Sequence, residues 1–144
     1  MFRYKKATYV AGGAKDASSR LGSHDLSFTD GDWSYRDSYF CGTDFLGQET
    51  VWFTTEPVWS MIYYGYILRP DLIDGDRDAQ TLRAALSGEH AQGRLLDNFE
   101  WSGPHGHFSI SSAGTIEHFK GRETITVNGT VAYALDYMGG VVRP

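Results

Sequence analysis

From Asp25 onward, hydrophobic and polar residues alternate with period two. Leu26 and Phe28 stand against Ser27 and Thr29, Asp30-Gly31-Asp32 signals a hairpin turn, and Trp33, Tyr35, Asp37 and Tyr39 run up one face of a returning strand. The same period predicts a third strand over 48–54 and a long fourth over 58–68, carrying Trp59, Met61, Tyr63, Tyr64 and Tyr66. Two stretches break from it. Met1 to Val10 reads as a short helix stopped by Gly12-Gly13, with Phe2 and Ala7 turned inward, and Asp76 to Gly88 reads as the clearest helix, with Leu82, Ala85 and Leu86 at helical spacing. Ala14 to Ser23 is polar, glycine-flanked and predicted to be a loop.

The stretch Phe45-Leu46-Gly47-Gln48-Glu49-Thr50-Val51 returns as Phe119-Lys120-Gly121-Arg122-Glu123-Thr124-Ile125. A shift of about 73 to 74 residues also places Leu26 on Phe99, Tyr35 on Phe108 and Tyr64 on Tyr137. The expectation is an α+β single domain over 1–144, a duplicated module of one helix plus four antiparallel strands with repeats at about 1–70 and 71–144. Two such modules give a curved eight-stranded antiparallel sheet or half-barrel with two helices on one face, the other face being a concave, aromatic-lined surface.

Composition narrows the function. Of 144 residues, 41% are hydrophobic and 22% charged, which is globular material, and 15% are aromatic. The net charge of −5, with no basic run longer than Lys5-Lys6, predicts no nucleic-acid binding by this chain. No apolar run approaches the ~20 residues of a membrane span, so no membrane partner is expected. With a lone Cys41, expected to be a small buried residue, and no signal-peptide core at the N-terminus, the reading is cytoplasmic.

Several short motifs carry a family resemblance: Ala7-Thr8-Tyr9, Ser18-Ser19-Arg20, Gly22-Ser23-His24-Asp25-Leu26, Tyr35-Arg36-Asp37-Ser38-Tyr39, Phe45-x-Gly47-x-Glu49, Pro57-Val58-Trp59-Ser60-Met61-x-Tyr63-x-Gly65 and Gly139-Gly140-Val141. Together they resemble an uncharacterised bacterial domain family often fused behind a Xre-type helix-turn-helix. The resemblance implies an effector-sensing or dimerising module, here in stand-alone form, since too few residues precede Asp25 to build the DNA-binding head.

Candidate chemistry rests on acids placed out of pattern. Asp37 shares a strand face with Trp33, Tyr35 and Tyr39, Glu49 with Val51 and Phe53, and Glu123 with Ile125 and Val127. A carboxylate loses several kcal/mol of hydration in an apolar site unless paired or protonated. Glu49, Glu123 and Asp37 are therefore the candidate acids, with Glu49 and Glu123 expected on opposite walls of one cavity. Arg20, Tyr35, Trp59, Tyr63, Tyr64 and Tyr137 are the candidate ligand-binding residues. Each Glu equally suits a duller role, capping backbone N–H groups of its loop or pairing with an arginine. His105 and His107 alternate on a strand but lack further ligands at a characteristic spacing, so neither metal nor cofactor is expected. The reading is a small-molecule-binding, ligand-sensing domain. The alternative is a small metal-free enzyme, an isomerase, cyclase or hydrolase using a buried carboxylate as general acid/base. Self-association through a sheet edge or the Trp59–Tyr66 stripe is compatible with both.

Overall fold

The computed structural model describes residues 15–87 and 98–144. Nine strands form one antiparallel sheet: β1 (Lys15–Asp16), β2 (His24–Asp30), β3 (Trp33–Phe40), β4 (Phe45–Phe53), β5 (Glu56–Ile67), β6 (Phe99–Gly103), β7 (Gly106–Thr115), β8 (His118–Val127) and β9 (Thr130–Val141). A single described helix, α1 (Gly75–Leu86), lies between β5 and β6 in the chain. The sheet order is β1-β2-β3-β4-β5-β9-β8-β7-β6, so two hairpin meanders meet along β5 and β9. Tight turns make the meanders. Asn128 and Gly129 both take positive φ, 50° and 76°, as the two-residue β8–β9 loop requires.

This architecture corrects the expected one. It is one nine-stranded sheet with one short helix among the described residues, not two copies of a helix-plus-four-strand module on eight strands. The ninth strand comes from the stretch predicted to be loop, where Lys15 and Asp16 pair with Leu26 and Asp25. The helix expected over Met1 to Val10 lies outside the described residues. The predicted second helix is present, starting one residue earlier than expected and capped by Asp74, whose Oδ1 accepts from the Arg77 amide at 2.9 Å.

The repeated Phe-x-Gly-x-Glu motif has a local packing cause. Gly47 lies opposite Tyr63, and Gly121 opposite Tyr137. In each pair the phenol ring lies across the glycine: a Cβ on Gly47 would sit 2.5 Å from Tyr63 Cζ, and one on Gly121 would sit 2.7 Å from Tyr137 Cε2. Only glycine leaves room for this. The rings thus cross a whole strand, and Tyr63 reaches Asp37 on β3 while Tyr137 reaches Ser112 on β7.

Alternation along these strands builds one core on one face, which we call the inner face. Tyr35, Val51, Trp59, Met61, Tyr63, Phe108, Phe119, Ile125, Tyr133 and Tyr137 are buried there, joined by Ile73, Leu82 and Ala85 from the helical segment. Helix α1 meets both meanders. His105 in the β6–β7 turn hydrogen-bonds Gln80 at 3.0 Å, and the charge of Arg83 acts on Tyr39 of β3. A 12-residue helix is only about 18 Å long, whereas β3 and β7 are five strand spacings, about 24 Å, apart in a flat sheet. The sheet therefore curls around the helix. Among the described residues no helix is long and apolar enough to cross a membrane.

Candidate functional site

The inner face carries two carboxylates on adjacent strands. Asp37 and Glu49 are direct cross-strand partners in the β3–β4 register, and both are buried, Glu49 to 1% exposure. The Tyr63 hydroxyl donates to Asp37 Oδ1 at 2.6 Å from β5, passing over Gly47. Desolvation pushes the Tyr63 phenol well above its ordinary pKa, and the charges of Asp37 and Glu49 push it further. Tyr35 belongs to the same neighbourhood, being buried two residues before Asp37 and acting on Tyr63 electrostatically. Tyr39, two residues after Asp37, is likewise raised by desolvation and by Asp37, and opposed by Arg83 of the helix. Asp37, Glu49, Tyr35, Tyr39 and Tyr63 thus form one acid–phenol cluster on the inner face, with Arg83 of α1 in electrostatic reach of Tyr39.

The other predicted residues are placed differently. Glu123 is buried, but it lies opposite Leu135 and Ile110 on β8. β8 and β4 are separated by β5 and β9, three strand spacings of about 4.8 Å each, so Glu123 and Glu49 do not adjoin. Tyr137 is also on the inner face, where its hydroxyl and that of Ser112 share a short hydrogen bond. Trp59 stacks on Phe119 at 5.6 Å between centroids, and its Nε1 donates to the Ile116 carbonyl at 3.1 Å. Tyr64, adjacent to Tyr63, points out of the other face and is 46% exposed. The Trp59–Tyr66 stripe is accordingly two half-stripes, Trp59, Met61 and Tyr63 buried and Ile62 and Tyr64 exposed.

Arg20 also sits away from the cluster. Its Nη2 donates to Ser38 Oγ at 2.8 Å, and its guanidinium lies 4.6 Å over the Phe40 ring. Ser38 is on the face opposite Asp37, where Ser38 and Ser23 both donate to Asp25 Oδ1. Burial would raise the Asp25 carboxyl, but hydrogen bonds from Ser19, Ser23 and Ser38 with the Arg36 charge outweigh it and hold the pKa low. The Ser18-Ser19-Arg20 loop is thus a clamp on the outer face of β2 and β3. Cys41, expected to be buried, is exposed at φ 65° in the β3–β4 turn.

His105 and His107 diverge: His105 bonds Gln80, and His107 Nδ1 shares a 2.7 Å hydrogen bond with Ser102. Among the described residues no group of three or more His, Cys, Asp or Glu could hold a metal ion. A groove of about 650 Å³ is walled by Ile62, Met138, Lys120 and His118 over Gly139, and none of Asp37, Glu49 or Tyr63 lines it.

One buried acid escaped the sequence reading. Asp78 is 1% exposed in the first turns of α1, on the buried side of the helix with Thr81, Leu82 and Ala85. Its Oδ2 is buried without a hydrogen-bond partner. Desolvation raises its pKa to about 7, helped by the charges of Asp74, Asp44 and Asp76 and opposed by a backbone hydrogen bond from Ala79. The signal was present in the spacing, because 78, 82 and 85 fall on one helical stripe.

Fold and cluster together define an all-antiparallel sheet domain with a helix-covered, acid- and phenol-bearing inner face. A family model described as a domain of unknown function (DUF5680) matches residues 37–142, most of the chain, and the chain belongs to that family. No curated protein and no solved structure matches it.

Proposed function

We propose that this chain is a small-molecule-binding module whose ligand is held on the inner face against Tyr63, Asp37 and Glu49. The observation that carries this reading is the 2.6 Å Tyr63–Asp37 hydrogen bond directly beside Glu49, on a face whose other side chains are mostly apolar. Buried carboxylates are costly to desolvate and persist where they are paired or hydrogen-bonded, so two side by side on a mostly apolar face mark a polar site there. Two acids on one wall favour a ligand that brings positive charge or several hydrogen-bond donors, such as an amine, a guanidine or a polyol. The surrounding phenols supply flat apolar area with a polar tip.

Binding is favoured over acid–base catalysis because burial and the flanking carboxylates keep the Tyr63 proton on its oxygen. Such a phenol donates a hydrogen bond and does not exchange its proton near neutral pH. The resemblance to bacterial domains fused behind helix-turn-helix heads supports a sensing role, with the sheet domain reading an effector.

A thermal-shift screen of amines, guanidines and polyols tests the reading. Compounds that stabilise the wild type bind at least about tenfold more weakly to Glu49→Gln, a loss of some 1.4 kcal/mol. Hits that bind Glu49→Gln and Asp37→Asn with wild-type affinity would refute it.

A further inference from the structure

Helix α1 brings a carboxyl group into the interface that closes the inner face. Its apolar contribution to that interface is modest, buried Leu82 and Ala85 and half-buried Leu86, with Leu72 and Ile73 just ahead of it, and Asp78 lies among them at 1% exposure. One oxygen of Asp78 has no donor within reach. Among the described residues the leading charges acting on it are acids: Asp74 and Asp76 from its own helical segment, and Asp44 from the loop entering β4, whose Oδ1 is occupied by the Ile67 amide. The cations nearby are engaged elsewhere, Arg77 with Asp74 and Arg69 with Asp71, while Arg83 acts on Tyr39. From the β6–β7 turn packed against the helix, His105 is spent on Gln80. A helix N-terminus favours an anion by its dipole. Here burial beside three like charges outweighs that, and the carboxyl titrates at about 7.

We propose that α1 is a protonation-controlled cover: with its proton, Asp78 lets the helix stay docked, and loss of that proton loosens the helix and bares the Asp37–Glu49–Tyr63 cluster. The proton is exchanged with solvent, and no other bond changes. The neutral acid fits an interface that the anion does not, since a buried carboxylate with one oxygen lacking a donor and no counter-cation among the described residues is disfavoured. The low apolar content of the helix makes it the element that yields first, while the sheet keeps its ladders. This inference rests on the binding reading only for what the cover protects.

Hydrogen exchange tests it without any ligand, so its failure and that of the binding reading are separable. After correction for intrinsic exchange, protection of residues 75–86 is compared with that of β8, residues 119–127, between pH 4.5 and 8.5. The expected result is helix protection below that of β8 throughout, falling by up to tenfold per pH unit between about pH 4.5 and 7 and levelling off above 7, because an exposed aspartate titrates near 3.9 and docked Asp78 at about 7. In Asp78→Asn the fall is absent, and in Asp44→Asn, which removes a like charge, it levels off at lower pH. Helix protection that is independent of pH, falls equally in Asp78→Asn, or matches that of β8 at every pH would overturn the proposal.

Discussion

At pH 8 the Asp78→Asn variant melts above the wild type by about 10 °C, and the difference shrinks towards zero at pH 4. The cause is linkage between protonation and folding. In the unfolded chain an aspartate titrates near 3.9, whereas folded Asp78 titrates at about 7. A group whose folded pKa is raised favours folding fully below its unfolded pKa, and that favour is lost as pH rises through the folded value. Three pKa units correspond to about 4 kcal/mol. For a chain of 144 residues each kcal/mol shifts the melting temperature by roughly 2–4 °C. Asparagine keeps the shape, removes the titration and leaves one amide to be hydrogen-bonded or solvated. The check is a set of calorimetric melts from pH 4 to 8 on both proteins. A constant difference across that range would show that Asp78 is not the titrating group.

Gly47→Ala and Gly121→Ala each destabilise the fold by about 1–3 kcal/mol, the usual cost of forcing extra volume into a packed region. Both added methyl groups fall onto tyrosine rings, Tyr63 in one case and Tyr137 in the other. Neither ring can swing aside freely, because both are buried and their hydroxyls are anchored, Tyr63 to Asp37 and Tyr137 to Ser112. The two variants separate stability from the site. Gly47→Ala disturbs the acid–phenol cluster and weakens binding as well as folding, whereas Gly121→Ala acts on the Ser112–Tyr137 contact and lowers stability alone. Denaturant titrations give the first quantity and ligand titration of the folded fraction gives the second. A Gly47→Ala protein as stable as the wild type would show that the ring does not lie across β4.

The strands and hairpins were legible because period-two alternation and turn residues such as Asp30-Gly31-Asp32 are local signals, and β2, β3, β4 and β5 lie close to their predicted positions. The sheet's count was not. Lys15 and Asp16 carry no apolar pattern, and they become a strand only because the exposed edge of β2 offers them backbone partners. The two Phe-x-Gly-x-Glu segments suggested duplication, yet the structure gives one helix among its described residues and nine strands, and the glycines are explained by the tyrosine rings that cross them. Which residues share a site depends on pairing register, a long-range property. Register placed Asp37 beside Glu49 and set Glu123 three strands away. Strand alternation alone could have separated Tyr64 from Tyr63. Asp78 was legible from helical spacing once an acid was allowed on the apolar stripe.

The direct test of a functional rather than structural inner face is the melting temperature of Glu49→Gln measured beside its ligand affinity. A carboxylate kept for a ligand is a burden on the empty protein, so its neutral isostere melts at or above the wild-type temperature while binding at least about tenfold more weakly. A carboxylate kept for the fold gives the opposite pattern: a clear fall in melting temperature with unchanged affinity in the folded fraction, and that result would contradict the binding-site reading.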